Sequence, residues 1–319
     1  MIVDLPSTTT SAVNRKLVDL RDKGGAVALG RVLTLVIVTD DGAQAEEAIE
    51  AANAASREHP CRVLVLARGA KRAAARLDAQ IRVGGDAGAS EVLVLRIYGP
   101  LASEGASVVV PLLLPDAPVV AWWPGDAPRV PAADPIGRLA QRRITDAAMR
   151  GAPARVLDVR RDSYVAGDTD LAWTRLTTWR GLLAAALDQQ PHEDVETVTV
   201  TGAADSPSTD LLAGWLRSRL GVPVRRDRSG SGGGMSAVVL SRRSGPIELS
   251  RPDGKIGTLS QPGQPDRRVA LQRRKVRDCL AEELRRLDAD EIYAAALAGL
   301  AGVEGGAGKA GTRRSGTRR

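Results

Sequence analysis

The amino-acid sequence predicts an α/β protein with two domains, each a mixed β-sheet flanked by helices, followed by a disordered C-terminal tail. Its 319 residues exceed the usual size of one domain, and a hydrophobic content of 43% is enough for two cores. Runs rich in β-branched residues alternate with segments of helical periodicity, as in α/β domains. A polar, turn-forming stretch around Gly167 separates two such series. We therefore predict domains at 1–165 and 166–301, and a tail at 302–319.

The first domain is predicted to begin with a helix and then to build its sheet. Thr10 can cap a helix that places Val13, Leu17 and Leu20 on one face. Continuous β-branched runs are typical of strands covered on both faces, and period-3.6 runs are typical of helices. On these patterns we predict strands at 32–40, 61–67, 80–85, 91–99 and 117–125, and helices at 43–57 and from Pro135 and Pro153. Residues 101–114 fit either a helix or a strand, and we favour a helix ended by Pro115.

The second domain is predicted to start with a helix and to continue as a mostly antiparallel sheet. Asp170 is a suitable N-cap before Leu171. Short alternating runs separated by turn residues predict the later strands, as in Pro246–Arg251, where apolar and polar residues alternate. The remaining elements are a strand at 195–202, a helix at 206–221, strands at 222–228, 235–242, 255–260 and 267–273, and a closing helix at 276–300.

The formal charge of +7 lies largely on the tail. Residues 302–319 contain five basic residues and one acidic residue, with too few apolar residues to fold. A nucleic-acid-binding protein is nevertheless the alternative function, because eight arginines of the second domain could gather on the solvent side of its sheet: Arg225, Arg226, Arg242, Arg243, Arg267, Arg268, Arg273 and Arg274. Against it, these strands contain no aromatic residue on which a base could stack. A sugar-phosphate enzyme or sensor, with a pocket built from the same arginines, is a third possibility.

Residues that would carry catalysis or bind a cofactor are scarce. The two histidines, His59 and His192, are isolated, and Cys61 and Cys279 form no CxxC pair, so no catalytic, metal or cofactor residue is assigned. The glycine-rich runs at Gly24 and Ser229 lack the features of a P-loop or a dinucleotide fingerprint. Few cysteines and no apolar run of ~18 residues favour a cytoplasmic protein without a membrane span.

The most distinctive stretch is DTDLAWTRLTTWRGLLAAALD, residues 168–188, which pairs two tryptophans with nearby arginines. On a continuous helix Trp173 and Arg180 share one side, and Arg175 lies on roughly the opposite side. A helix that is apolar nearly all round is enclosed, so the arginines must pair inside the protein or with a partner. The stretch is thus either a brace between the two domains or a contact surface, since tryptophan and arginine are enriched in interface hot spots.

Together with RVLTLVIVTD and PVVAWWPG, this stretch closely resembles the glucose-6-phosphate dehydrogenase assembly protein (OpcA) family in its actinobacterial form. The resemblance runs from about Met1 to Gly299. It implies a non-catalytic, allosteric activator that binds glucose-6-phosphate dehydrogenase and favours its active oligomer, at the entry to the oxidative pentose phosphate pathway. It implies no cofactor and no small-molecule substrate.

The resemblance marks a set of candidate residues for partner binding or domain bracing: Asp168, Asp170, Trp173, Arg175, Trp179 and Arg180. Our hypothesis from the helical wheel is that Trp173 packs inside and that one arginine, in the first place Arg175, is available to the dehydrogenase or the domain junction. The two widely separated cysteines argue against the redox control associated with photosynthetic relatives.

Overall fold

The predicted α/β architecture is confirmed by a computed structural model, which describes residues 1–23, 30–84, 91–149, 153–230 and 233–305. The strands over these residues are β1 (Ile2–Leu5), β2 (Leu33–Asp40), β3 (Cys61–Arg68), β4 (Arg76–Arg82), β5 (Glu91–Tyr98), β6 (Val119–Trp122), β7 (Arg142–Thr145), β8 (Asp168–Asp170), β9 (Thr197–Ala203), β10 (Val224–Ser229), β11 (Met235–Ser241), β12 (Ile247–Ser250), β13 (Ile256–Ser260) and β14 (Arg267–Ala270). The α-helices over the same residues are α1 (Thr10–Lys23), α2 (Ala43–Ala55), α3 (Gly105–Val109), α4 (Pro153–Ser163), α5 (Leu171–Thr174), α6 (Thr177–Leu187), α7 (Pro207–Leu220), α8 (Val276–Arg285) and α9 (Glu291–Gly299).

Internal contacts divide the chain into two compact units. The first unit consists of Met1–Met149, Val165–Leu171 and Lys275–Ala289. The second consists of Arg150–Tyr164, Ala172–Arg274 and Asp290–Arg319. Each unit therefore combines three segments of the chain, whereas the domains predicted from the sequence meet at a single boundary after residue 165.

The first unit is built on an eight-stranded sheet with the order β1-β4-β5-β3-β2-β6-β7-β8. β1, β4 and β5 pair antiparallel, and the strands from β5 to β8 pair parallel. Every residue of β2 and β3 except the last is buried, which explains their continuous apolar sequences. A sheet covered on both faces is the result.

Successive residues of these strands enter two different cores. Leu64 and Leu66 of β3 belong to a cluster that includes residues of α1, among them Leu17. Val63 and Val65, which point to the other face, belong to a cluster with residues of α2 and α8, among them Ile49. The side chains of Cys61 and Cys279 are buried in this second cluster and are not joined in a disulfide.

The second unit contains a six-stranded sheet with the order β10-β9-β11-β12-β13-β14. β9 and β10 are parallel, and the other neighbours are antiparallel, as predicted for the later strands. α7 packs on β9 and β10 and also contacts α9. Ser206 caps α7 by accepting a hydrogen bond from the backbone N–H of Thr209, and Gly221 ends it in the left-handed conformation.

Three predicted helices are interrupted. The segment 101–114 contains only α3, flanked by 3-10 turns at Gly99–Ser103 and Val110–Leu112, because Pro111 lacks the N–H group that a longer helix needs. The predicted helix 276–300 consists of α8 and α9, with Asp290 capping α9. The helix from Leu171 breaks after α5 and restarts at α6. From Pro135, the chain forms only a 3-10 turn at Gly137–Leu139.

Three short strands, β1, β7 and β8, escaped the sequence prediction. β7 reads RRIT and β8 reads DTD, yet all their residues are buried. Charged residues mask the strand pattern here, because their burial depends on partners that are distant in sequence.

The second unit extends past residue 302, where the tail was predicted to begin. Val303 is 4% exposed. The backbone of Glu304 exchanges hydrogen bonds with β10, donating to the carbonyl oxygen of Val224 at 2.9 Å and accepting from the N–H of Arg226 at 2.8 Å. The disorder predicted for residues 306–319 concerns positions outside the described residues.

Candidate functional site

The candidate residues 168–180 begin with Asp168, which ties β8 to the neighbouring strand β7. Its Oδ1 accepts a hydrogen bond from Nε of Arg143, and its Oδ2 accepts one from the backbone N–H of Val165 at 3.1 Å. Both charged side chains are 8% exposed, so each neutralises the other away from water. The preceding Gly167 has φ +95°, and a Cβ there would lie 2.2 Å from the carbonyl oxygen of Gln141. Asp168 is therefore a structural residue of the first unit.

Asp170 anchors the chain that follows β7. Its side chain is fully buried, and its Oδ2 accepts hydrogen bonds from Oγ1 of Thr145 at 2.6 Å and from the backbone N–H of Ala147 at 3.0 Å. A buried carboxylate is stabilised by several such donors. Asp170 thus holds the end of β7 against β8.

Trp173 is packed inside the second unit, as the hypothesis required. It is 1% exposed, and its Nε1 donates a hydrogen bond to Oδ2 of Asp290 at 2.8 Å. The other oxygen of Asp290 accepts from the backbone N–H of Tyr293 at 2.9 Å and so caps α9. The rings of Trp173 and Tyr293 lie 6.0 Å apart. One carboxylate therefore joins the indole of Trp173 to the start of α9.

Arg180 stacks on the same indole. Its guanidinium carbon lies 3.8 Å from the centre of the Trp173 ring, within the range of a cation–π interaction. Its Nη2 donates to Oγ1 of Thr177 at 3.1 Å, and the side chain is half-buried. Arg180, Asp290 and Tyr293 each contact Trp173, and we call these four residues the indole cluster.

The burial of the two arginines reverses the order that the helical wheel predicted. Arg175, the expected partner-facing residue, is 8% exposed, whereas Arg180 is only half-buried. The wheel assumed one continuous helix, but α5 ends at Thr174 and α6 begins at Thr177. Arg175 therefore lies in the break between the helices, where a 100° rotation per residue does not apply.

Trp179 is also buried, beside an arginine that the sequence did not single out. It is 3% exposed, and the guanidinium carbon of Arg251 lies 5.3 Å from the centre of its ring. Arg251 donates to the carbonyl oxygens of Leu271 at 2.8 Å and Met235 at 2.7 Å. Burial lowers the pKa of Arg251, and the nearby charge of Arg273 lowers it further. These contacts fix Trp179 against the strands of the second unit.

The sequence reasoning also missed buried ion pairs in both units. In the first unit, Arg142 of β7 donates to Oε2 of Glu283 in α8 through Nε at 3.0 Å. In the second, Nε of Arg226 donates to Oδ1 of Asp210 at 2.8 Å. Burial raises the pKa of Asp210 and lowers that of Arg226, while their mutual attraction opposes both shifts.

The sequence could have identified Asp290 as a helix cap, because it is an acid directly before a helical run. It was missed because it falls inside the single helix predicted at 276–300.

The eight arginines of the nucleic-acid alternative do not form one exposed set. Arg226 pairs with Asp210 inside the second unit. Arg242 is 7% exposed and donates to the carbonyl oxygen of Pro191, and Arg274 donates to that of Thr174 at 2.8 Å. These three arginines bond to groups within the protein, so less of the positive charge is available to bind the phosphates of a nucleic acid.

The turn after β2 differs from a glycine-rich dinucleotide-binding turn. In open parallel sheets, the pyrophosphate binds at a glycine-rich turn before the helix that follows the first strand. Here that turn is Asp40-Asp41-Gly42, and Glu46 lies in the first turn of α2. Asp41 pairs with Arg96 and Glu46 pairs with Arg82, so the turn presents paired acids instead of a glycine-rich run. Over the residues that the structure describes, there is also no group of three or more His, Cys, Asp or Glu side chains that could hold a metal ion.

These features define an α/β protein of two units whose tryptophan–arginine motif is part of its internal packing. Two protein-family models match the chain, and both describe a glucose-6-phosphate dehydrogenase subunit: its N-terminal domain matches residues 52–162, and its C-terminal domain matches residues 166–297. The chain belongs to the OpcA family of glucose-6-phosphate dehydrogenase assembly proteins, as the sequence motifs indicated.

Other comparisons add little about function. No curated protein matches the chain. Among solved structures, the 3-ketoreductase KijD10 from Actinomadura kijaniata is 9% identical, with a TM-score of 0.44 over 85% of this chain and 98% of that one. Glucose-6-phosphate 1-dehydrogenase from Mycobacterium avium is 11% identical, with a TM-score of 0.42 over 84% and 90% of the two chains. An oxidoreductase from Sinorhizobium meliloti is 11% identical, with a TM-score of 0.37 over 84% and 86%. Similarity at this level supports no inference about activity.

A search of the described residues for a helix long and apolar enough to cross a membrane found none.

Proposed function

We propose that this protein is a non-catalytic, cytoplasmic subunit that binds glucose-6-phosphate dehydrogenase, favours its active oligomer and thereby activates it allosterically. Its biological role is then to support the oxidative pentose phosphate pathway. The observation that carries this proposal is the match of both halves of the chain to domains described as parts of a glucose-6-phosphate dehydrogenase subunit.

The geometry around the motif supports a binding protein over an enzyme. The conspicuous charged residues of the motif, such as Asp168 and Asp170, are bonded to neighbouring strands and loops. The turn after β2 carries acids where a dinucleotide-binding enzyme needs backbone N–H groups facing a pyrophosphate. This turn therefore supports a binding protein over a dinucleotide-dependent oxidoreductase.

We propose a scaffold role for the indole cluster. A protein can shift an oligomer equilibrium only if it binds one state more tightly than the other, and that requires a surface of fixed shape. The contacts of Trp173 with Asp290 and Arg180 fix α6 and α9 within the second unit. On this proposal the cluster preserves the partner-binding surface without contacting the dehydrogenase itself.

The test is reconstitution with the dehydrogenase from the same organism. We expect the two proteins to co-purify, the oligomer distribution of the dehydrogenase to shift in light scattering, and its activity or apparent substrate affinity to rise when this chain is added. The chain alone should show no dehydrogenase or hydrolase turnover. Unchanged oligomer distribution and unchanged kinetics with saturating chain would contradict the proposal, and turnover by the rigorously purified chain would contradict its non-catalytic part.

A control separates specific activation from a general effect of added protein. The controls are the denatured chain and an unrelated protein, each at the same concentration. Both should leave the kinetics of the dehydrogenase unchanged. Stimulation by these controls would show that crowding or surface protection, rather than binding, produces the effect.

A further inference from the structure

A cleft of about 200 Å³ lies in the first unit, at the carboxyl ends of β3 and β5. Arg68 and Lys71 line it after β3, Ser103 lines it after β5, and Asp134 lines it from the segment between β6 and β7. The carboxyl ends of parallel strands are the usual place for ligands in open α/β sheets. The position and size of the cleft therefore suit a small molecule.

Arg68 is the most informative residue of the cleft. It is the last residue of β3, two positions after Leu66, so both side chains leave the sheet on the same face. The side chain is half-buried, and its Nε is shielded from water without an acceptor among the described residues. Buried guanidinium donors are normally satisfied by an acceptor, so Arg68 is incompletely paired within the part of the chain that the structure describes.

The charge balance of the cleft favours an anion. Lys71 is exposed and, like Arg68, forms no ion pair within 4.0 Å with an acid of the described residues. The carboxylate of Asp134 is engaged by the backbone N–H of Ile136 at 2.9 Å, within its own turn. Two cations thus face one carboxylate that already accepts a hydrogen bond, and the hydroxyl of Ser103 adds a neutral donor.

The wall above Arg68 is set by a close packing contact. A Cβ at Gly105 would lie 2.4 Å from Cδ2 of Leu66, so a larger residue at the start of α3 would require the Leu66 side chain to shift. The segment after β5 is thereby held beside the end of β3, where Ser103 and Arg68 line the same space.

We propose that this cleft binds a small phosphorylated metabolite, with the phosphate group between Arg68, Lys71 and Ser103. Arginine presents a planar fork of donors to phosphate oxygens, and lysine adds a compact positive charge. A phosphate ester offers more acceptor oxygens to Arg68, Lys71 and Ser103 than a carboxylate does. Such a site goes beyond dehydrogenase binding and does not depend on it.

The experiment is isothermal titration calorimetry on the full chain at constant ionic strength. The probes are inorganic phosphate, glycerol 3-phosphate and glucose 6-phosphate, with glucose as the uncharged control. We expect at least one ester to bind more tightly than inorganic phosphate, and glucose not to bind. Equal binding of phosphate and both esters would identify inorganic phosphate as the ligand and overturn the metabolite proposal, as would the absence of binding by every probe.

Variants locate the binding site. Arg68→Gln and Lys71→Gln each remove one charged donor, and each should weaken ester binding about tenfold or more. Arg72→Gln, an exposed neighbour that does not line the cleft, is the matched control and should change affinity little. Because Lys71 is exposed, Lys71→Gln tests the site even if Arg68→Gln impairs folding. Undiminished binding to a folded Lys71→Gln variant, or equal weakening by Arg72→Gln, would overturn the assignment to this cleft.

Discussion

Replacing Trp173 with alanine distinguishes an internal role of the motif from a partner-contact role. The side chain is 1% exposed, so its removal leaves a large cavity, and truncations of buried tryptophan cost about 3–5 kcal/mol. The change also removes the acceptor ring beneath Arg180 and the hydrogen bond to Asp290. We expect a loss of about 4 kcal/mol or more from the free energy of unfolding of the second unit, because these contributions act in the same direction.

Trp173→Phe separates the packing contribution from the hydrogen bond. Phenylalanine keeps most of the buried area but cannot donate to Oδ2 of Asp290, so we expect a smaller loss of about 1–3 kcal/mol. Trp215→Ala, which removes a half-buried tryptophan from α7, serves as the control for loss of an indole outside the cluster.

The assay combines urea unfolding with hydrogen exchange of the backbone amides in α9. Both variants should exchange faster than the wild type over Glu291–Gly299, since Asp290 links Trp173 to that helix. Dehydrogenase binding should fall only in proportion to the unfolded fraction. A Trp173→Ala protein with wild-type unfolding and exchange but lost binding would refute the internal role and restore the contact-surface interpretation.

Three further predictions test other parts of the structure. Asp170→Ala removes the acceptor of buried hydrogen-bond donors and should lower the free energy of unfolding by about 2–3 kcal/mol in urea denaturation. As a control, Glu47→Ala at an exposed position should change it by less than about 0.5 kcal/mol. The hydrogen bonds and charge of Arg82 lower the pKa of Glu46 below its ordinary value of 4.5, so their pair stabilises the fold above that pH and the stabilisation disappears as the pH falls through the lowered pKa. Because the carboxylate is half exposed, Glu46→Gln should lower the free energy of unfolding by at most about 1 kcal/mol at neutral pH. It should not change the free energy of unfolding at strongly acidic pH, and an equal loss at both pH values would contradict an ionic origin. Deleting 306–319 should leave activation of the dehydrogenase unchanged in the kinetic assay, and a folded deletion variant that no longer activates would show that the tail takes part.

The fold could be predicted where burial alone determines the sequence pattern. The buried strands β2 and β3 are apolar over almost their whole length, and the antiparallel strands such as β12 alternate between buried and exposed positions. These patterns are local, so each segment carries its own signal. The short strands β7 and β8 could not be found in this way, because they are buried through ion pairs and hydrogen bonds with residues elsewhere in the chain.

Helix continuity was overestimated for a related reason. The residues between α5 and α6 have no proline or glycine to mark an end, and apolar periodicity continues across the break. The carbonyl oxygen of Thr174 instead accepts hydrogen bonds from Oγ1 of Thr177 and from Nη1 of Arg274, contacts that a single-segment pattern cannot contain. A side chain one hundred positions away thus helps to satisfy a helix end.

The motif illustrates the difference between recognising residues and assigning their roles. Tryptophan and arginine are enriched in binding hot spots. The same two residue types also occur together inside a protein when a guanidinium stacks on a buried indole, so composition alone does not separate the two roles. The deciding residue is Asp290, which lies 117 positions after Trp173 and binds both the indole and the first turn of α9. Because one carboxylate serves both contacts, loss of the indole weakens a helix cap as well as a packing layer. A motif used in this way is constrained by the stability of the second unit, and the proposed partner-binding surface must be sought among residues whose replacement leaves that stability intact.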